Sequence, residues 1–213
     1  IAPWPFYDSE QVEAVSNVLI SGKVNKWTGE LCHEFENEFS NFCNAKYSIS
    51  VANGTLALYA AYLALGLKEG DEIITTPRTF IATASTALMF GAKPVFADVD
   101  LNSGCITAES IKPLINSKTK IISVVHLGGW PARMEEICNL AREKNIRILE
   151  DCSQAHGAMI NGQSVGSFGD IAVWSFCQDK IITTGGEGGM INTSDENLYE
   201  KLSNIEAPNQ KPI

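Results

Sequence analysis

From residue 48 onward, short apolar segments alternate with helical patterns, and this alternation limits what the chain can fold into. The apolar segments are YSISVA, EIITT, PVFAD, KIISVVH, IRILE, IAVWSF and GGMINT. Strands that are apolar on both faces and separated by helices are typical of a mostly parallel or mixed sheet covered on both sides. The sequence therefore predicts an α/β fold whose ligands bind in the loops after the strands.

The first 47 residues have a different pattern, which predicts two helices. In the first helix, Asp8 and Gln11 have the spacing of a capping box, and Gly22 is a typical helix end. The second, LCHEFENEFSNFC, carries an apolar stripe of Leu31, Phe35, Phe39 and Phe42. We predict that residues 1–47 form an N-terminal helical segment that packs on an α/β domain of residues 48–213.

Composition and charge exclude several classes of function. A net charge of −9 disfavours nucleic acid as a partner, because phosphate backbones are bound by clustered Lys and Arg. The longest apolar runs fall short of the ~20 residues that cross a bilayer, and the first residues lack the pattern of a signal peptide. The six cysteines lack zinc-site spacing, which predicts reduced, buried thiols in a cytoplasmic protein without a metal.

The segment ANGTLAL contains the first candidate site residues. A predicted strand ends there, Gly54 allows close approach of the backbone, and Thr55 begins a helix. Backbone N–H groups and a hydroxyl at a helix N-terminus bind anions such as a phosphate monoester. The alternative is an ordinary turn between strand and helix, capped by the threonine.

The segment ILEDCSQAHGA contains a candidate pair. Asp151 directly follows an apolar strand, and a buried carboxylate needs a cationic or hydrogen-bonding partner. Gln154 lies three residues later and can turn its amide toward the same cavity. The alternative for Asp151 is a cap of the following turn.

Three further candidates lie near strand ends. Lys180, in SFCQDKIITTGGEGG, stands between a strand and a glycine run, where an amine can be reactive; alternatively it extends to water. Ser175, at the end of the same strand, is a hydroxyl donor or merely a small strand residue. Phe80 begins a helix after another strand, and its ring either covers a flat ligand or packs in the core.

Together these groups match the needs of one cofactor. A phosphate site, a carboxylate for a ring nitrogen, an aromatic side chain for a ring face and a lysine amine are what pyridoxal 5′-phosphate (PLP) requires. The carboxylate keeps the pyridine nitrogen protonated, and the lysine forms a Schiff base and later moves a proton.

At this point the sequence resembles the DegT/DnrJ/EryC1/StrS aminotransferases, which act on nucleotide-linked keto-sugars. The resemblance covers almost the whole chain and rests on ANGTLAL, GDEIITTPRTFIATASTALMFGAKPVFADVD, VVHLGGWPARMEEI, ILEDCSQAHGA and VGSFGDIAVWSFCQDKIITTGGEGGMI. It implies that Lys180 is the Schiff-base lysine, and that Asp151 lies at the pyridine nitrogen. The remaining implied cofactor contacts are Gln154 at the 3-hydroxyl, Gly54, Thr55 and Ser175 at the phosphate, and Phe80 over the ring.

The resemblance also implies a fold type I large domain and a homodimer with active sites at the subunit interface. An amino acid, expected to be glutamate, would donate its amino group to a 3- or 4-keto sugar on a nucleotide diphosphate. Such products enter surface polysaccharides, O-antigens or natural products. Relatives with histidine at the position of Lys180 are sugar dehydratases, so the lysine favours transamination.

In one respect the sequence departs from the family pattern, because members are longer. They add a C-terminal smaller domain and, before it, an asparagine that reaches the partner's cofactor phosphate; this chain stops before both. Two alternatives follow: a related enzyme with another substrate, such as a cyclitol ketone, and a regulatory or truncated relative that binds PLP without turnover. His126 and His156 lie beside these motifs, with structural and catalytic roles both open.

Overall fold

A seven-stranded mixed sheet forms the centre of the structure, a computed structural model that describes residues 4–206. Its strands are β1 (Tyr47–Val51), β2 (Glu72–Thr75), β3 (Lys93–Phe96), β4 (Thr119–Val125), β5 (Arg147–Asp151), β8 (Ile171–Ser175) and β9 (Gly189–Thr193). A separate hairpin pairs β6 (Met159–Ile160) with β7 (Gln163–Ser164).

The order of the strands determines where a ligand can bind. The order is β1-β9-β8-β5-β4-β2-β3, and the pairs from β8 to β3 are all parallel. β9 runs antiparallel to both of its neighbours, so β1 points the same way as β8. Six strands therefore end at one edge of the sheet. The predicted α/β fold with a mostly parallel, mixed sheet is confirmed.

The described residues form seven α-helices, most of which pack on the sheet. They are α1 (Ser9–Ser21), α2 (Leu31–Cys43), α3 (Gly54–Ala64), α4 (Ala82–Leu88), α5 (Ala108–Ile111), α6 (Met134–Lys144) and α7 (Glu196–Glu206). Helices α3, α4 and α7 share one apolar core with the first face of the sheet, while α5 and α6 cover the second face. Within residues 4–206, none of the helices has both the length and the apolarity that crossing a membrane requires.

Helix α3 is the most deeply buried helix next to the candidate site. Its sequence, GTLALYAAYLA, is apolar almost all round, and its alanines let the helix backbone lie close to β8 and β9. The Asn53 side chain caps the helix by accepting a hydrogen bond from the Leu56 amide at 2.9 Å. The cap fixes where the helix begins and therefore where its first free amides lie.

The two N-terminal helices differ in their packing. Helix α2 lies on the second face, where the Phe39 ring is 5.2 Å from the Trp174 ring and 5.3 Å from the Phe176 ring. Helix α1 has the predicted capping box of Asp8 and Gln11 and ends at Gly22, yet none of its residues is buried. The division of the chain at residue 47 stays a prediction, and residues 1–3 and 207–213 of the two predicted units lie outside the described residues.

A buried carboxylate joins the N-terminal segment to the sheet. Glu36 of α2 pairs with Lys26 at 2.5 Å and accepts hydrogen bonds from the Ser50 amide and hydroxyl at 2.6 and 2.8 Å. Because Ser50 belongs to β1, this contact anchors the chain before α2 to the edge of the sheet.

Candidate active site

A cavity of about 260 Å³ opens at the edge where the parallel strands end. Its walls come from the loops after β1, β2, β5 and β8, as expected for a sheet of this kind. All the residues predicted from the sequence line this one cavity: Gly54, Thr55, Phe80, Asp151, Gln154, Ser175 and Lys180. Segments more than 100 residues apart in the sequence therefore meet at one site.

One wall of the cavity is the N-terminus of α3. A methyl group on Gly54 would lie 2.9 Å from the Ser175 Cβ, so only glycine lets the helix start come this close to β8. Because the Asn53 side chain accepts the hydrogen bond of the Leu56 amide, the amides left for a ligand at the helix start are those of Gly54 and Thr55. With the hydroxyls of Thr55 and Ser175 beside them, these groups suit an anion such as a phosphate.

The opposite wall carries a buried carboxylate. Asp151 accepts a hydrogen bond from the Thr83 hydroxyl at 2.7 Å on one oxygen and from the Ser153 amide at 3.2 Å on the other. The Thr83 hydroxyl in turn lies 2.9 Å from that of Thr79. These contacts fix the orientation of the carboxylate. Thr83 was not predicted; its signal was a threonine directly after the apolar residues FIA in TFIAT.

Gln154 is oriented by a loop on the same side. Its Oε1 accepts a hydrogen bond from the Gly128 amide at 2.8 Å. Because a backbone N–H can only donate, the side-chain oxygen must face the loop, and the Nε2 amide group is the end left for the cavity. Gly128 has a φ of 59°, in the left-handed region that glycine adopts without strain.

Lys180 lies in the loop between β8 and β9. Its backbone N–H closes a turn onto the Cys177 carbonyl at 3.0 Å, and its Nζ is 3.4 Å from the Asp179 carboxylate. Although burial raises it, the contacts with Cys177 and Lys180 together lower the pKa of Asp179 below its ordinary value. Asp179 was missed by the sequence analysis, because an acidic neighbour of a loop lysine carries no distinctive pattern.

Phe80 lies at the mouth of the cavity, two residues before α4. Its side chain is 65% exposed. Of the two alternatives that the sequence left open, packing in the core is therefore wrong, and the ring is available to cover a flat ligand.

Neither histidine of the flanking motifs is among the residues that line the cavity. His126 is completely buried and bonded to Glu150. His156 packs against Trp174 and Phe176, and neither of its ring nitrogens has a hydrogen-bond partner among the described residues. Burial lowers the pKa of His156 to about 4. The nearby Ser175 backbone raises this pKa by a smaller amount, although it does not form a hydrogen bond with the ring.

All six cysteines are free. Burial raises the pKa of Cys43 to about 12 and that of Cys138 to about 11, so these thiols stay protonated and act as small apolar side chains. The expectation of buried thiols holds for Cys43, Cys105 and Cys152, whereas Cys138 and Cys177 are partly exposed and Cys32 is exposed.

The sequence of the chain matches a known family along almost its whole length. A sequence profile of the DegT/DnrJ/EryC1/StrS aminotransferase family matches residues 5–211. The chain belongs to this family. The resemblance noted from the motifs is thereby confirmed.

Curated members of the DegT/DnrJ/EryC1/StrS family are similar to the chain over about half of their own length. GDP-perosamine synthase from Escherichia coli O157:H7 is 42% identical over 92% of this chain and 54% of that protein. The dTDP-3-amino-3,6-dideoxy-alpha-D-galactopyranose transaminase of Aneurinibacillus thermoaerophilus is 41% identical over the same fractions.

Solved structures of relatives have the same fold. An aminotransferase from Psychrobacter cryohalolentis superposes with a TM-score of 0.94 and 53% identity, over 95% of this chain and 51% of that chain. NtdA from Bacillus subtilis, solved with bound cofactor PMP, the amino form of PLP, superposes with a TM-score of 0.88 and 29% identity over 100% and 51%. The fold is that of the PLP-dependent aminotransferases, and PLP is the cofactor of the family.

Proposed function

We propose that the chain is the cofactor-binding part of a nucleotide-sugar aminotransferase. In this proposal, an amino group passes from an amino acid, glutamate, to a 3- or 4-keto deoxysugar carried on a nucleotide diphosphate. The observation that carries the proposal is the meeting of Lys180, Asp151 and the α3 N-terminus around one cavity. An amine, a buried carboxylate and an anion site around one cavity are groups that a PLP enzyme needs.

The residues of the cavity fit PLP on structural grounds. The close contact of Gly54 with Ser175 leaves backbone amides and hydroxyls, rather than side-chain bulk, for the phosphate. Asp151 presents a buried, oriented carboxylate for a ring nitrogen, and Gln154 presents an amide N–H. Phe80 is exposed at the mouth, where its ring can cover a flat ligand.

The bound cofactor supplies an electron sink, and the protein supplies orientation and proton transfer. We assign Lys180 Nζ to covalent attachment of the cofactor and to moving the proton of the amino-acid α-carbon. The Asp151 carboxylate, held in place by Thr83, would keep a proton at the ring nitrogen through a charge-assisted hydrogen bond. Asp179 orients the Lys180 amine before the cofactor binds.

The substrate class is supported by the names of the relatives. Both curated relatives are named for nucleotide-linked sugars, one with GDP and one with dTDP, which supports a nucleotide-diphosphate sugar without selecting the base. We further propose a homodimer in the cytoplasm, acting in surface polysaccharide, O-antigen or natural-product sugar synthesis. Six free cysteines support a reducing compartment.

An absorbance spectrum with added PLP, followed by glutamate, tests the proposed function. We expect a visible band that bleaches when glutamate is added, and we expect Lys180→Ala to lose both the band and any adduct that borohydride can trap. Lys201, an exposed lysine on α7, provides the matched control: Lys201→Ala should behave as the wild type. A trapped adduct in Lys180→Ala would show that another amine is the attachment point.

A second variant separates an enzyme from a binding protein. We expect Asp151→Asn to bind PLP and to fold, but to transaminate at least about 100-fold more slowly, because the oriented charge at the ring nitrogen is lost. Normal turnover in this variant would reject the role of Asp151. A wild-type band that glutamate never bleaches would instead favour the alternative, a relative that holds the cofactor without turnover.

A further inference from the structure

A second buried carboxylate, Glu150, lies next to Asp151 on β5 but points to the other face of the sheet. Its side chain is 0% exposed, and its two oxygens accept four hydrogen bonds. The donors are the amides of Gly166, Phe168 and Gly169, at 2.8, 2.8 and 2.6 Å, and the His126 ring at 3.0 Å. A buried carboxylate with this many donors holds its partners rigidly.

The hydrogen bonds of His126 define which ring nitrogen carries the proton. Nδ1 accepts a hydrogen bond from the Ala132 amide at 3.1 Å, so it must present a lone pair. The proton is therefore on Nε2, which donates to Glu150. The His126 backbone amide also donates to the Asp151 carbonyl at 3.2 Å. The histidine thus links the end of β4, the end of β5 and the loop that follows.

That loop, residues 127–132, is the one that holds Gln154. Ala132 fixes the end of the loop to the His126 ring, and Gly128 near its start donates to Gln154 Oε1. Glu150, His126 and Gln154 are therefore connected through hydrogen bonds at the two ends of the loop and through the loop backbone between them, from the far face of the sheet to the cavity.

The same cluster also includes Cys152, whose Sγ lies within 4.8 Å of the ligand atoms of His126 and Glu150. A metal ion would need lone pairs that are already occupied, since both carboxylate oxygens and both ring nitrogens make hydrogen bonds. Burial also raises the pKa of Cys152, which keeps the thiol protonated. The cluster therefore serves hydrogen bonding rather than metal binding.

We propose that His126 is a positioning residue: by accepting the hydrogen bond of the Ala132 amide, its ring fixes the 127–132 loop and thereby sets the orientation of Gln154 in the cavity. The role at the cofactor rests on the proposed function, whereas the control of the loop does not. His126 acts through Gln154, because it does not line the cavity itself.

Two substitutions of His126 separate the two hydrogen bonds. In His126→Asn, the Oδ1 atom takes the place of Nδ1, so the bond from Ala132 is kept and the bond to Glu150 is lost. In His126→Gln, the Nε2 amide takes the place of the ring Nε2, so the bond to Glu150 is kept and the loop is released. Glu150 retains three backbone donors in both variants.

The first readout is amide hydrogen exchange in the whole protein without cofactor. We expect exchange at Gly128 and Ala132 to speed up at least about tenfold in His126→Gln and less than about threefold in His126→Asn. Gln154→Ala, which leaves the core untouched, should speed up Gly128 alone. Equal exchange in the two histidine variants, or no change at Gly128 in Gln154→Ala, would overturn the proposal.

The second readout is the position of the PLP band and the affinity for PLP. We expect His126→Gln to shift the band and to weaken PLP binding about five- to tenfold, with His126→Asn close to the wild type. Asp170→Asn is the control for general destabilisation, because Asp170 holds the Ile148 amide at 2.7 Å at the other end of β5. An equal shift of the band in Asp170→Asn would overturn the proposal. A wild-type protein without a band would reject the proposed function and leave the exchange test valid.

Discussion

Helices α1 and α3 are similar in length, at thirteen and eleven residues, but their surroundings are opposite. Seven residues of α3 are buried, among them Leu58 and Tyr62, whereas α1 buries none. Four apolar side chains of α1, at Val12, Val15, Leu19 and Ile20, are each more than half exposed. Of these two helices, only α3 packs its apolar side chains against a core within residues 4–206.

The difference teaches that an apolar helical pattern predicts a helix but does not predict what covers it. Helix α3 packs on the strands that carry the cavity, so its packing energy and the geometry of the site depend on the same contacts. Helix α1 is stabilised by its own caps. The comparison predicts that substitutions near the cavity cost stability and that equivalent substitutions in α1 cost little.

The largest expected effect comes from the same substitution in the two helices. Leu58 is 2% exposed and Leu19 is 67% exposed. We expect Leu58→Ala to lower the free energy of unfolding by about 2–5 kcal/mol, because it leaves a cavity in the core, and Leu19→Ala to change it by less than about 0.5 kcal/mol. Urea unfolding measures both. Equal losses would mean that α1 is buried in the protein in solution.

The loss of folding stability in acid should also come from residues packed on the sheet rather than from helix α1. His156 is 8% exposed and has a pKa of about 4 when folded, against about 6.5 when unfolded. Between these values the unfolded chain binds a proton that the folded chain does not, so stability falls as the pH falls. We expect a loss of about 3 kcal/mol from pH 7 to pH 4.

This loss should be largely absent in His156→Phe, which keeps an aromatic ring beside Trp174 and cannot titrate. Unfolding experiments at several pH values measure the effect. The control is Glu13→Gln in the exposed helix α1, which should leave the loss of stability from pH 7 to pH 4 unchanged. If His156→Phe lost as much stability from pH 7 to pH 4 as the wild type does, the loss could not be assigned to His156.

A smaller effect is expected for the hydroxyl that holds Asp151. Thr83→Val removes the donor to the carboxylate and should cost about 1–2 kcal/mol of stability, because a buried acceptor loses its partner. We also expect the half-reaction with glutamate to slow about tenfold as the carboxylate loses its orientation.

The matched control lies on the same helix. Thr86 is equally buried, but within residues 4–206 its hydroxyl bonds to the Ala82 carbonyl of α4 and not to Asp151. Thr86→Val should therefore change stability slightly and leave the half-reaction unchanged. If both variants slowed the reaction equally, the effect of Thr83 would come from the helix as a whole.

The smallest effect is expected at the cap of α1. Asp8→Ala should release the Gln11 amide, which now bonds to Asp8 at 2.9 Å, and speed up its hydrogen exchange. Global unfolding should change by less than about 0.5 kcal/mol, because α1 contributes no buried residue. Thr107→Ala, at the cap of the packed helix α5, should cost about 1 kcal/mol of global stability. A similar global cost at both caps would break the comparison.

Much of the fold could be predicted from the sequence, because its signals are local. Apolar runs predicted the strands, and the capping box at Asp8 marked the start of a helix. The reversed direction of β9 could not be predicted, because an apolar run shows where a strand lies and not which way it runs in the sheet. The β6–β7 hairpin was missed although Asn161 and Gly162, both with positive φ, are a known hairpin signal.

For the site, each candidate was predicted from its position at a strand end or from the family resemblance, and all of them line one cavity. Their catalytic and binding roles stay predictions. The supporting residues could not be predicted, because their partners are distant in sequence: Thr83 is 68 residues from Asp151, and His126 is 24 from Glu150. The role of a buried hydroxyl or carboxylate can be assigned only when its hydrogen-bond partner is known.

The reversed direction of β9 has a consequence for how this enzyme class can diversify. Because β8 ends and β9 begins at the same edge, both ends of the Phe176–Gly188 connection are fixed beside the cavity, with Phe176 and Gly188 joined by a backbone hydrogen bond of 2.8 Å. Lys180 and Asp179 lie between these anchors and must keep their places, but the other residues of the connection can change in composition without shifting the register of the sheet. The connection is thus a place where contacts around the cavity can be altered, by evolution or by design, while the structure of the sheet is kept.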